Sequence, residues 1–317
     1  MASRFELTVP RDYVLRRDFA SYGYFLLEPN DWDPKREVVT RVLELAEGPA
    51  KLEVVQPRHG GRIKRGAALE VKADRGLKKA EREEAGRLLS RMLRLDEGPE
   101  VIREFHGVDP RWKSIGRGRL MRSPSFFEDV IKTVTSCNVT WPSTVVMNLR
   151  LCEVVGSGGA FPSAKQVART RAATLRARCR VGYRDARIIE LAGMFASREI
   201  EPEWFENPAT GDDAIWERLL ELPGIGPYAA ANIMQLLGRY HRLPLDSESV
   251  RHGRSVLGWK GNERQIMKRM HKHFAPFGRH AFRSYWFELW EFYEKKAGVS
   301  WMWEKKKVGS SFTASKL

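Results

Sequence analysis

Apolar and polar positions divide the chain into two textures. Up to about residue 95 they mostly alternate. Residues 5–9 (Phe5-Glu6-Leu7-Thr8-Val9), 51–55 and 68–71 carry apolar side chains at every second place, as half-buried strands do. Residues 36–47 space theirs as a helix would. His59-Gly60-Gly61 marks a turn, so the last two strands are expected to pair as a hairpin. Residues 78–95 read as an amphipathic helix. The first part is therefore a small α+β layer.

From about residue 96 the period becomes helical. Helices are expected over 99–105, 125–135, 142–155, 163–170, 174–178, 183–197, 213–221, 228–238, 247–256, 263–274 and 280–297, separated by short loops rich in Gly and Pro. The predicted fold class is α+β: an N-terminal α+β domain over 1–95, a mainly helical body over 96–300 and a basic tail over 301–317. No apolar run approaches the roughly 20 residues of a membrane span, and the start lacks the apolar core of a signal peptide.

The body is organised around residues 221–251. Leu222-Pro223-Gly224-Ile225-Gly226 is a tight turn whose glycines accept positive φ and bare their backbone amides. An Ala-rich apolar run over 228–237 reads as a buried helix. Leu243-Pro244-Leu245-Asp246 then leads into Ser247, Glu248 and Ser249, a helix start with Asp246 at its mouth.

Charge adds a partner. Lys and Arg number 55 against 40 Asp and Glu, a net charge of +15. Such a balance indicates a polyanion, nucleic acid first. The basic residues are spread over 171–187, 239–254 and 305–307, which favours a folded face over a disordered arm. The three cysteines, Cys137, Cys152 and Cys179, lack metal-ligand or redox spacing and suggest a reducing compartment. A cytoplasmic or nucleoid location is expected, nuclear in a eukaryote.

The 222–226 turn followed by a Pro-x-Asp helix start resembles the helix-hairpin-helix superfamily of DNA glycosylases, in particular the 3-methyladenine and 8-oxoguanine branches. In that superfamily the hairpin grips a backbone phosphate without reading sequence, and the Asp is catalytic. The likeness runs from about Gly118 to Lys296 by motif. Arg119-Leu120-Met121-Arg122-Ser123-Pro124, then a helix ending Thr135-Ser136-Cys137-Asn138, is similar to the 8-oxoguanine branch, where the Asn enters the gap left by a flipped base. Gly182-Tyr183-Arg184 resembles the stretch whose Tyr wedges beside the lesion. Arg283-Ser284-Tyr285-Trp286 looks like part of the closing helix.

The resemblance implies these roles: Asp246 as catalytic carboxylate; Leu222, Gly224, Ile225, Gly226, Tyr228, Asn138, Tyr183, Arg184 and Arg251 at the DNA; Tyr228, Trp141 and Trp286 around the base. A monovalent cation held by backbone at Gly224 and Gly226 is compatible with it. Each residue also has a structural reading: Asp246 as an ordinary N-cap, Asn138 as an Asx turn, Tyr183 and Trp286 as packing. The implied chemistry is base flipping, then hydrolysis with a carboxylate beside a sugar of oxocarbenium character.

Two departures narrow the expectation. Enzymes of the superfamily that also cut the strand carry a Lys two residues past the last hairpin Gly, and here that position is Tyr228, which cannot form an imine. A monofunctional enzyme is expected. No Cys follows Cys179, so the four thiolates of an iron–sulfur cluster are not available. No cofactor or zinc site is expected, and the expected partner of a monomeric protein is double-stranded DNA carrying a damaged base. Alkylated bases are favoured, because cationic purines stack on electron-rich rings. An 8-oxoguanine-type enzyme, an adenine glycosylase and a non-catalytic DNA-binding protein stand as alternatives. The final Ser315-Lys316-Leu317 matches a peroxisomal address that a repair function gives no use for.

Overall fold

A computed structural model describes residues 2–60, 62–63 and 66–305. Its strands are β1 (Arg4–Leu7), β2 (Asn30–Asp33), β3 (Val38–Leu45), β4 (Gly48–Val55), β5 (Arg58–His59), β6 (Arg62–Ile63) and β7 (Leu69–Ala73). Five form one antiparallel sheet in the order β1-β7-β4-β3-β2. β4 and β7 pair as the turn at 59–61 implied, with Val54 opposite Val71 and Leu52 opposite Ala73. β5 and β6 form a separate short ladder between them. Gly61 lies outside the described residues.

The expected helix over 36–47 is instead β3. Val39, Arg41, Leu43 and Leu45 are all buried, a period of two. The period was concealed because one inward position is an arginine. Arg41 is neutralised in the core by Glu128, whose carboxylate also meets Lys132 at 2.7 Å. The β-branched residues Val38, Val39, Thr40 and Val42 then decide for strand over helix.

The helices are α1 (Leu15–Phe19), α2 (Lys79–Met92), α3 (Pro99–Val108), α4 (Phe126–Ser136), α5 (Trp141–Val154), α6 (Ala164–Ala168), α7 (Ala172–Arg178), α8 (Asp185–Ala196), α9 (Pro202–Glu206), α10 (Asp212–Leu220), α11 (Pro227–Leu236), α12 (Ser247–Ser255), α13 (Glu263–Phe274) and α14 (Ala281–Ala297). All eleven helices expected after residue 96 are present, along with the amphipathic α2. The additions α1 and α9 have five residues each, too short to display a period. Caps explain several starts: Ser125 accepts the Glu128 amide, and Ser163 and Asn262 form capping boxes with Gln166 and Gln265.

Two apolar cores result. One unites the sheet with α12, α13 and α14, from Leu52 and Val71 to Phe282 and Trp290. The other gathers the middle helices, including Ile131, Leu191, Ala230 and Met234. The boundary near residue 95 therefore separates textures and not cores. Residues 301–305, assigned to a basic tail, pack back on the N-terminal layer: Trp303 is buried near Phe25 and Trp290, and Lys305 pairs with Glu28. Residues 306–317, including Ser315-Lys316-Leu317, lie outside the described residues. Among the described residues, no helix is long and apolar enough to cross a membrane.

Candidate active site

A cleft of about 430 Å³ opens where the two cores meet. Its lining includes Tyr22, Gly23 and Tyr24 of the N-terminal layer, Trp141 and Thr144 of α5, Tyr228 and Asn232 of α11, and Phe282, Tyr285 and Trp286 of α14. Asp246 lies at the junction, half-buried at the start of α12.

The carboxylate of Asp246 does two jobs at once. Its Oδ1 caps α12, accepting the amides of Glu248 at 3.0 Å and Ser249 at 3.1 Å. Among the described residues, its Oδ2 accepts only the Tyr228 hydroxyl, at 3.1 Å. The N-cap and active-site readings of Asp246 are thus compatible, because one oxygen serves the helix and the other remains with the cleft. Burial raises the pKa of this carboxyl, opposed by the Ser249 amide and the Tyr228 hydroxyl and reinforced by the charge of Glu248. Burial and Asp246 also push the Tyr228 phenol upward, so it keeps its proton and donates.

The cleft is a cage of rings. Trp286 stacks nearly parallel on Phe282, with centroids 5.9 Å apart, and its centroid is 4.6 Å from that of Tyr22. The Trp286 indole N–H donates to the Ser21 carbonyl, which fixes the ring. Trp141 closes on the N-terminal segment at Gly23, where a Cβ would stand 3.1 Å from its ring. At the rim, Glu248 accepts from Arg251 Nε at 2.8 Å and from the Tyr293 hydroxyl. Arg251 lies 4.2 Å over the Phe292 ring. Tyr22, Tyr24, Glu248, Tyr285 and Tyr293 were not singled out from the sequence as site residues. The Tyr-Gly-Tyr run at 22–24 was the available signal, but nothing in a sequence shows which distant segment covers a cleft.

The hairpin turn joins α10 to α11. Leu222 and Ile225 are buried in the second core, so their side chains are unavailable to a partner and only their backbone can contribute. The Ile225 amide is already used, donating to the Leu222 carbonyl at 3.1 Å. Gly224 and Gly226 are exposed, and Gly224 has φ of +77°. The opening amides of α11 lack intrahelical acceptors, as in any helix.

The two proposed wedge residues are brought together. Asn138 is exposed at φ of +53°, just after α4, and Tyr183 is 58% exposed just before α8. Arg184 departs from its expected place at the DNA. It is buried, and its guanidinium donates to the carbonyls of Cys137 and Asn138. Its role in this arrangement is to hold the Asn138 turn, with Tyr183 lying over it at 4.5 Å. Among the described residues, no group of three His, Cys, Asp or Glu side chains is arranged to hold a metal ion.

No protein-family model matches the sequence, and no curated protein matches it. Solved structures do. A 3-methyladenine DNA glycosylase from Archaeoglobus fulgidus superposes with a TM-score of 0.63 at 21% identity, covering 93% of this chain and 98% of that one. An 8-oxoguanine glycosylase/lyase from Clostridium acetobutylicum in its apo form gives 0.63 at 17% identity, covering 91% and 98%. The same enzyme with double-stranded DNA containing cytosine opposite 8-oxoguanine gives 0.63 at 18%, covering 94% and 99%. The chain thus has the fold of these DNA glycosylases, with the likeness to both branches that the motifs carry.

Proposed function

We propose that this protein is a monofunctional DNA glycosylase of base excision repair, which flips a damaged base into the aromatic cleft and hydrolyses its glycosidic bond. The observation that carries the reading is Asp246: a half-buried carboxylate at the junction of an aromatic cleft, 3.1 Å from a tyrosine hydroxyl and directly downstream of a glycine hairpin. The hairpin, with or without a monovalent cation at Gly224 and Gly226, grips the backbone of duplex DNA. Asn138 and Tyr183 fill the gap the base leaves. Asp246 then stabilises positive charge on the sugar and orients the attacking water. Tyr228 offers no amine for a Schiff base, which supports hydrolysis without strand cutting.

An alkylated base is the favoured substrate. The rings of Tyr22, Trp141, Tyr228 and Trp286, together with the carboxylates of Asp246 and Glu248, suit a base carrying positive charge. The test is release from duplexes that each carry one lesion: a methylated purine, hypoxanthine, ethenoadenine, 8-oxoguanine or uracil. Cleavage only after alkali supports the reading and names the substrate. Cleavage without alkali contradicts the monofunctional part, and tight binding without any release contradicts catalysis.

A further inference from the structure

We propose that Arg187 is a backbone-phosphate ligand that also positions the Tyr183 wedge, so that gripping the strand and inserting the wedge are one event. The inference rests on the DNA-glycosylase reading above and concerns a residue which that reading leaves without a role.

Arg187 sits in the first turn of α8 and is exposed. Its stem lies on the hairpin: a Cβ on Gly224 would stand 2.6 Å from Arg187 Cδ and 3.4 Å from Nε. The glycine at this turn is therefore required twice, by φ of +77° and by the arginine that covers it. At its other end the guanidinium carbon lies 5.8 Å from the Tyr183 ring centroid. Arg184 approaches the same ring at 4.5 Å while holding the Asn138 turn. A continuous series of contacts thus runs from the Asn138 turn through Arg184, Tyr183 and Arg187 to the hairpin.

The charge of Arg187 has no evident use in the protein alone. Among the described residues it forms no ion pair, whereas nearby Arg176 pairs with Asp185 at 2.7 Å. It also stands in the first turn of a helix, where the dipole disfavours a cation, with Arg184 just before it. Covering Gly224 needs only an aliphatic stem. A free guanidinium held against both a glycine turn and an exposed tyrosine suits a bidentate anion, and a strand phosphate seated on the hairpin supplies one. Such a phosphate would fix the guanidinium, which in turn fixes the face of Tyr183.

The test compares wild type, Arg187→Gln and Arg187→Lys on a duplex containing a tetrahydrofuran abasic-site analogue, with affinity measured over a salt series. A 2-aminopurine beside the analogue reports unstacking by the wedge. Loss of one phosphate contact should make the log–log salt slope of Arg187→Gln shallower by about 0.9. Arg187→Lys should restore the slope but not the 2-aminopurine signal, because an ammonium cannot bridge a phosphate and the Tyr183 ring as a planar guanidinium can. Melting curves matching wild type would show both variants folded. An unchanged slope in Arg187→Gln overturns the inference and leaves the glycosylase reading standing. A wild-type protein that binds no duplex overturns both.

Discussion

The Tyr228 hydroxyl, in the first turn of the hairpin helix, donates at 3.1 Å to Oδ2 of Asp246, 18 positions further along the chain at the next helix start. This one bond ties the element proposed to grip DNA to the carboxylate proposed to act on the sugar. It also favours the ionised carboxylate, in a place where burial acts the other way.

Tyr228→Phe removes that donor and keeps the ring. The Asp246 pKa should rise further above the ordinary carboxylate range. The acid limb of the base-release pH profile should therefore move to higher pH, while the substrate preference stays the same. A full pH–rate profile of the variant decides it, and an unmoved acid limb would show that the bond does not tune Asp246.

Asp246→Asn bears on stability as well as chemistry. Asn caps a helix about as well as Asp, so α12 should survive the change. The sign of the pH dependence follows from the raised pKa. The folded carboxyl holds its proton more tightly than the unfolded one, so wild-type stability falls as pH rises from the unfolded to the folded pKa. The variant should lack that decline and melt no lower than wild type near neutral pH. Thermal melting across pH 3–7 (roughly the range over which a carboxyl with a raised pKa titrates) provides the check.

Much of this was legible in the sequence, and the failures have physical causes. Tyr228, Asp246 and Trp286 line one cleft, because the hairpin, the Pro-x-Asp start and the closing helix are local patterns with fixed spacing; Trp141, which also lines it, belongs to none of these patterns. β3 was misread because Arg41 occupies an inward position, and a buried ion pair cannot be inferred from hydropathy. Arg184 is expected at the DNA only through the likeness of Gly182-Tyr183-Arg184 to the 8-oxoguanine branch. Its burial depends on the carbonyls of Cys137 and Asn138, which come from a distant helix end. The N-terminal wall of the cleft was missed for the same reason: the contact between Gly23 and Trp141 joins segments more than a hundred residues apart.

The buried charges beneath the sheet give a stability prediction. Glu128 pairs with both Arg41 and Lys132, and all three side chains are nearly inaccessible. Glu128→Gln leaves two buried cations without their anion and should cost about 3–5 kcal/mol, read by denaturant unfolding. Although burial itself raises it, the two cations hold the Glu128 pKa below its ordinary value. Its contribution should be present above the unfolded carboxyl pKa and be lost as pH falls through the folded one.

Gly224→Ala tests the hairpin. The substitution forces a side chain into a left-handed turn and against the Arg187 stem. A loss of about 1–3 kcal/mol is expected from the backbone alone. Binding should weaken equally for all duplexes, damaged or intact, since the proposed contact is with backbone and not with bases. A loss confined to one sequence would contradict the assignment of the turn.

The most direct measurement is single-turnover base release by wild type and Asp246→Asn, with DNA affinity measured on the same preparations. Duplexes carrying a methylated purine would be treated with alkali before separation. Release by wild type, with release by the variant lower by orders of magnitude at similar affinity, is the predicted result. Comparable release by the two proteins would show that Asp246 only caps α12, and the proposed mechanism would fall.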